Sequence, residues 1–75
     1  LGTTIHDSLV QLKRSDRLLA LSVRPGNGPV VANLIRRLTD RGVFTTIGDD
    51  SNVLVVCDTA DDAQTLADYL NSLVG

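Results

Sequence analysis

The pattern of apolar and polar positions, together with short runs of β-branched residues, predicts four β-strands in this chain. In residues 17–24, alternate positions would face opposite sides of a sheet, with Leu19, Leu21 and Val23 on one side and Leu18, Ala20 and Ser22 on the other. Residues 8–14 form a second such run, joined to the first at Ser15-Asp16. Residues 43–47 and 53–57 are short runs rich in β-branched side chains, and the latter is apolar enough to predict a central strand.

A different spacing predicts two helices. Val31, Leu34 and Ile35 recur at helical spacing after Pro29, which suits a first helical position with Asn27 or Gly28 as the cap. The last helix carries an apolar stripe of Ala63, Leu66, Ala67, Leu70 and Leu73. Thr59 should cap this helix, with Asp62 as a partner of the capping-box type three residues on.

The element order ββαββα predicts one two-layer α/β (α+β) domain over residues 1–75. Its natural packing is a four-stranded, mainly antiparallel sheet with two helices on one face. The other face of the sheet would still be largely apolar, and so small a chain is marginally stable alone. Both observations favour a partner subunit.

Composition excludes several kinds of site. The chain of 75 residues has one cysteine, Cys57, and one histidine, His6, too few for an internal disulfide or a zinc site. No stretch is long and apolar enough to span a bilayer, and no signal peptide opens the chain. A free thiol in an apolar strand favours a reducing cytoplasm. Because the chain begins at Leu1 instead of Met, we expect it to be part of a longer protein.

Charge is distributed unevenly along the chain. All seven basic residues lie between Lys13 and Arg41, whereas all six charged residues from Gly42 onward are Asp, so the two halves carry +4 and −6. An isoelectric point near 4.9 argues against nucleic-acid binding by this piece, since phosphate contacts need a basic surface. The asymmetry suggests that one half pairs with the other, within a subunit or between subunits.

Two segments are candidate sites, and each also has a purely structural interpretation. Residues 24–29, RPGNGP, could present free N–H groups to an anion, but they fit a strand-to-helix turn better and match no nucleotide-binding fingerprint. Asp49-Asp50 suit a tight turn. They could also form a carboxylate pair that binds a guanidinium. A divalent cation is a further option, although the loop offers few of the oxygen ligands that such an ion needs. Nothing in the chain supports catalysis by a nucleophile or an acid–base pair, so we predict no enzyme.

Residues 23–38, VRPGNGPVVANLIRRL, followed by FTTIGDDSNVLVVC and a closing amphipathic helix, resemble the C-terminal domain of bacterial arginine repressors. The resemblance runs from about Ser8 to Leu73. It implies a regulatory module that needs no cofactor and forms trimers, two of which stack into a hexamer with the effector L-arginine between them. An N-terminal winged-helix domain, absent from this chain, would contact operator DNA.

The resemblance also implies ligand-binding positions. Aligned without gaps, Asp50 falls on the family's first Asp, which meets the guanidinium of arginine; aligning the GDD letters places Asp49 there instead. The remaining implied positions lie in the helix-opening loop, the following strand and the first long helix: Asn27, Pro29, Thr46, Gly48 and Arg36.

Two positions depart from the family pattern. Pro29 stands where the family commonly has Gln, and Arg36 stands where it has Asp, so a cation would face a cationic ligand. We hypothesise that the Arg36 guanidinium substitutes for the ligand by pairing with Asp50 or Asp49, in the same subunit or across an interface. The alternatives are therefore a paralogue that does not sense arginine and assembles with a true sensor, or a free-standing small-ligand or enzyme-associated module.

Overall fold

The computed structural model describes residues 2–38 and 42–74. Within them the chain forms three helices and four strands. In chain order these are α1 (Gly2–Ser8), β1 (Leu9–Ser15), β2 (Leu18–Val23), α2 (Gly28–Leu38), β3 (Val43–Gly48), β4 (Asn52–Cys57) and α3 (Ala60–Val74).

The four strands form one antiparallel sheet in the order β1-β2-β4-β3. The prediction that the apolar strand near residue 55 is central is confirmed, since β4 lies between β2 and β3. The α+β architecture is confirmed as well. Leu19 pairs with Val55 at the middle of the sheet, where the two central strands meet.

The helices pack on one face of the sheet, which we call the inner face. Side chains from β2, β4 and all three helices form a single buried core there. Its members are Ile5, Leu19, Leu21, Val23, Val31, Ala32, Ile35, Val53, Val55, Cys57, Ala63, Leu66, Ala67 and Leu70. The predicted inner set of β2 is thus correct, and Cys57 is a small, buried core residue.

Helix α1 was not predicted, so the order is αββαββα with three helices, not two. Its sequence, GTTIHDS, has no apolar periodicity and contains residues of low helix propensity. Ile5 is fully buried in the core, and α1 packs against α3. Tertiary packing therefore determines this helix.

The two longer helices begin differently. In α3 the Asp62 N–H donates to Thr59 Oγ1 at 3.0 Å, which confirms the predicted cap. Helix α2 begins at Gly28, one residue before the predicted first position, and the Asn27 carbonyl accepts the Val31 N–H at 2.9 Å. Asn27, one of the two predicted cap residues, thus occupies the cap position, but its side-chain amide donates to Ser8 Oγ at 2.9 Å.

None of the helices in the described part of the chain covers the opposite, outer face of the sheet. Leu18, Ile47 and Leu54 lie there with 42, 59 and 38% of their surface exposed. Ala20, on β2 between these side chains, is small and leaves two shallow hollows of about 240 and 300 Å³, both bordered by Ala20 and Leu54. The prediction that this face stays largely apolar is confirmed.

Candidate functional site

The loop that opens α2 uses its N–H groups internally. Gly26 and Gly28 both donate to the Asp50 carbonyl, at 2.9 and 3.0 Å, and the Asn27 N–H donates to the Arg24 carbonyl at 3.0 Å. Pro29 has no N–H to offer. The loop is therefore a strand-to-helix turn and not an anion cradle, which was the structural interpretation of its sequence.

The same loop lies directly against the β3–β4 hairpin, backbone to backbone. A Cβ placed on Gly28 would be 1.5 Å from the Asp49 carbonyl oxygen, so a side chain here would force the two segments apart. A Cβ on Gly48 would lie 3.0 Å from the Ala32 Cβ. The fold thus brings together the two segments that the resemblance singles out, which lie some twenty residues apart in the chain.

Ser8 holds the other side of this loop, and sequence reasoning missed it. Its hydroxyl accepts a hydrogen bond from Asn27 Nδ2 at 2.9 Å, and its carbonyl accepts the Arg24 N–H at 2.9 Å. Ser8 is 2% exposed at the junction of α1 and β1. Only the tertiary packing of α1 brings it to the loop, so no local pattern could have revealed it.

Asp49 acts as a turn residue. Its Oδ1 accepts hydrogen bonds from the backbone N–H groups of Ser51 and Asn52, at 3.2 and 2.9 Å, and from Asn52 Nδ2 at 3.3 Å. These donors, the Ser51 N–H first, hold the pKa of the Asp49 carboxyl below its ordinary value because they favour the charged form. The structural interpretation of the first carboxylate therefore holds.

Asp50 differs from its neighbour in the hydrogen bonding of its side chain. Its backbone carbonyl anchors the loop that opens α2, whereas its side chain is exposed and makes no hydrogen bond or ion pair with the described part of the chain. A carboxylate fixed by its own backbone and unoccupied at its oxygens is ready to accept a cationic donor. The gap-free alignment with the family pattern, described above, places Asp50 on the ligand-binding Asp. Asp50 is also the carboxylate whose side chain has no partner in the described chain.

Three further predicted positions lie in the loop, in α2 and in β3, in different environments. Asn27 is half-buried under the loop, and Pro29 is exposed at the second residue of α2. Thr46 is buried on the inner face, and its hydroxyl finds no partner among the described residues. The Thr46 side chain and the exposed Asp50 carboxylate thus occupy different environments.

Arg36 is engaged at a different place. Its guanidinium donates to the Thr46 carbonyl and, at 2.9 Å, to Asn33 Oδ1. Within residues 2–38 and 42–74, Arg36 forms no ion pair with Asp49 or Asp50. The same-subunit form of the hypothesis is therefore wrong for the described chain, because Arg36 lies two turns of α2 away from Gly28, which is the residue that meets the tip of the hairpin.

The uneven charge does not resolve into ion pairs within the described chain. The ion pair found there joins His6 and Asp7 at 3.3 Å, and both side chains are exposed. Arg41 lies outside the described residues. The acidic and basic halves are therefore not paired within the described part of this subunit.

Other chemistry finds no support in the described residues. They contain no group of three side chains suited to a metal ion. Burial, followed by the charges of Asp62 and Asp58, raises the pKa of the Cys57 thiol, which keeps it in its unreactive form. None of the described helices is long and apolar enough to cross a membrane.

Comparison with known proteins identifies related sequences. The model of the family "Arginine repressor, C-terminal domain" matches residues 5–72. The arginine repressor of Lactiplantibacillus plantarum is 39% identical over 57 residues, which cover 76% of this chain and 38% of that protein.

Two further relatives extend the match along the chain. The arginine repressor of Geobacillus kaustophilus is 34% identical over 74 residues, 99% of this chain and 50% of that protein. That of Bacillus pumilus is 26% identical over 74 residues, again 99% of this chain and 50% of that protein. The chain thus spans at most half the length of these relatives, and all three are bacterial repressors, which are transcriptional regulators and not enzymes.

Proposed function

Because this chain belongs to the arginine repressor family, as a C-terminal domain, we propose that it binds L-arginine and assembles with copies of itself. It would be the effector-binding and oligomerisation module of a regulator of arginine metabolism. The observation that carries the proposal is the Asp50 carboxylate, which has no partner among residues 2–38 and 42–74 and is held by its own backbone against the loop that opens α2.

The chemistry of Asp50 suits a guanidinium. A planar guanidinium donates two parallel hydrogen bonds to one carboxylate, and the charge on both groups strengthens them. The Asp49 carboxylate next to it is occupied by the turn but still adds negative charge close by. A ligand's cationic end would therefore bind at the hairpin tip.

The outer face of the sheet supports self-assembly. Leu18, Ile47 and Leu54 expose apolar surface that none of the described helices covers. The hollows at Ala20 would receive side chains from a second copy. A homotrimer, and a hexamer made of two trimers with L-arginine between them, is the assembly we propose. The Arg and Asp side chains that form no ion pair within the described part of the chain would then find partners across subunits.

Operator DNA would be contacted elsewhere in the full-length protein. The chain spans about half the length of its relatives, so an N-terminal winged-helix domain has room to precede it. The net charge of −2 supports a division of labour in which this domain makes no phosphate contacts. Such a regulator would work in the bacterial cytoplasm.

Calorimetric titration with L-arginine tests the ligand. L-Citrulline, which carries a neutral urea in place of the guanidinium, is the matched probe and should bind at least about tenfold more weakly. Asp50→Asn should lower the affinity for arginine by about tenfold to 100-fold, because one charge-assisted pair is lost. Asp49→Asn is the matched control, with the same charge change one residue away, and should lower it less. Equal binding of arginine and citrulline would contradict the proposal.

Solution mass tests the assembly. Sedimentation with and without millimolar L-arginine should give a trimer that becomes a hexamer when arginine is added. A monomer in both conditions, at concentrations well above those used for titration, would contradict self-assembly.

A second candidate is a paralogue that does not sense arginine. Arg36 favours it, because this cation stands where the family pattern has a carboxylate. In this version Arg36 would pair with an Asp of another subunit, and the protein would form hexamers without arginine or assemble with a sensing relative. A hexamer that forms without arginine and is lost in Arg36→Ala would favour this candidate over the first.

A further inference from the structure

The two open edges of the sheet differ in their protection. Strand β1 carries exposed charged side chains, Lys13 and Arg14, and a bulge at Val10 interrupts its pairing with β2. Charges and bulges are the usual means by which an edge strand resists pairing with another chain. Strand β3 has an irregularity at Phe44, but its sequence VFTTIG contains no charge.

The composition of β3 makes this difference consequential. Short, uncharged segments rich in β-branched and aromatic residues without proline add readily to other strands. Phe44 and Ile47 are both more than half exposed, so they offer apolar contact beside the open backbone. Without a further device, β3 would be a template for a second β3.

The pairing pattern shows which backbone groups of β3 are open. The Asp49 N–H donates to the Asn52 carbonyl at 2.9 Å and closes the hairpin. Bonded and non-bonded pairs alternate in an antiparallel ladder, so Thr46, three residues back and opposite Val55, occupies a non-bonded position. Its N–H and carbonyl therefore point away from β4, toward the open edge.

A side chain from α2 reaches this carbonyl. The Arg36 guanidinium donates to the Thr46 carbonyl oxygen, and Asn33, one helical turn earlier, holds the guanidinium through its Oδ1. A strand arriving at this edge would have to displace a charged donor that is already hydrogen-bonded on both sides. Arg37, the next residue, is exposed and has no such contact in the described chain.

We propose that Arg36 closes the open edge of β3 against strand addition by β3 of a second copy of this chain. The device gives β3 the charge that its own sequence lacks, and it leaves the outer face of the sheet free for assembly. Arg36 thus selects which surface of the domain associates.

Replacement of Arg36 and Arg37 by Ala, one at a time, tests the proposal in the full chain. Both changes remove one positive charge from α2 and introduce the same strong helix former. In Arg36→Ala, association through the β3 edge should begin at about tenfold lower protein concentration than in the unsubstituted chain. The reason is that one charge-assisted hydrogen bond no longer opposes the pairing of two β3 strands. Thioflavin fluorescence should rise, and the Thr46 amide should become protected from hydrogen exchange. Arg37→Ala should match the unsubstituted chain.

Arg36→Lys sharpens the test because it keeps the positive charge and N–H donors but loses the planar guanidinium. It should restore most of the resistance to association. The proposal would be overturned if Arg36→Ala and Arg37→Ala associated at the same concentration and showed the same hydrogen exchange at the Thr46 amide. A loss of mass in Arg36→Ala would overturn it as well, because that result assigns Arg36 to an interface between subunits.

Discussion

The two faces of the sheet are built from neighbouring residues of the same strands, yet they meet different surroundings. Leu19 and Leu18 are adjacent in β2; the first is fully buried under the helices and the second is 42% exposed. In β4, Val55 and Leu54 repeat the contrast. The comparison teaches that one side of the sheet supplies the cohesion within the subunit, whereas the other side exposes apolar surface on which the proposed assembly would form.

The largest expected effect comes from the inner face. Leu19→Ala should lower the free energy of unfolding by about 2–5 kcal/mol, because it removes buried surface and leaves a cavity. Leu18→Ala, the matched change on the outer face, should cost less than about 1 kcal/mol in the isolated subunit. Urea denaturation at low protein concentration measures both, and equal losses would break the comparison.

On the outer face, a charge should disrupt assembly while the fold survives. Leu54→Asp places a carboxylate at the middle of the exposed apolar surface and should raise the dissociation constant for self-association by at least about 100-fold. Tyr69→Asp adds the same charge at an exposed apolar residue of α3 and should leave association unchanged. Sedimentation distinguishes the two variants. Persistent assembly in Leu54→Asp would show that subunits meet elsewhere.

A smaller effect should come from the turn that keeps the faces in register. A slip of one residue in β3 against β4 would exchange inward and outward side chains, and Asp49 opposes it by accepting three hydrogen bonds within the hairpin. Asp49→Ala should lower the thermal midpoint and speed amide exchange in β3. Asp50→Ala, which removes no such bond, should leave both unchanged; similar behaviour of the two variants would refute this division of roles.

The smallest expected effect is the pH dependence of that turn. The pKa of Asp49 is lower in the folded chain than in the unfolded chain, so its contribution is present above the ordinary pKa and is lost as pH falls through the lowered value. Thermal midpoints recorded from neutral to acidic pH should fall less steeply in Asp49→Asn than in the unsubstituted chain. Parallel curves would show that the carboxylate charge does not support the hairpin.

Most of the fold could be predicted from local patterns. Alternating positions predicted which side chains of β2 face the core, and helical spacing of apolar residues predicted α2 and α3. The cap of α3 was predicted from Thr59 and Asp62. Helix α1 could not be predicted, since its seven residues lack periodicity and Ile5 is buried only after α3 packs beside it. Local patterns report what a segment can form alone, and α1 depends on its neighbours.

The site was less predictable for the same reason. The turn role of Asp49 is local and could be read from the residues around it. The roles of Arg36 and Ser8 could not, because each contacts a segment that is distant in the chain: Arg36 the carbonyl of Thr46, and Ser8 the side chain of Asn27. Only the hydrogen bonds of the structure show that Asp49 is engaged in the turn and that the Asp50 carboxylate has no partner among the described residues.

The pairing of β2 with β4 also determines how this chain must fold. It joins Leu18 to Val56 and Ser22 to Asn52, whereas β1–β2 and β3–β4 are hairpins between neighbours in the chain. Closing the longer loop costs more entropy than closing either hairpin. We therefore expect the two hairpins to form early and to dock late, with the contact between Leu19 and Val55 made at the rate-limiting step.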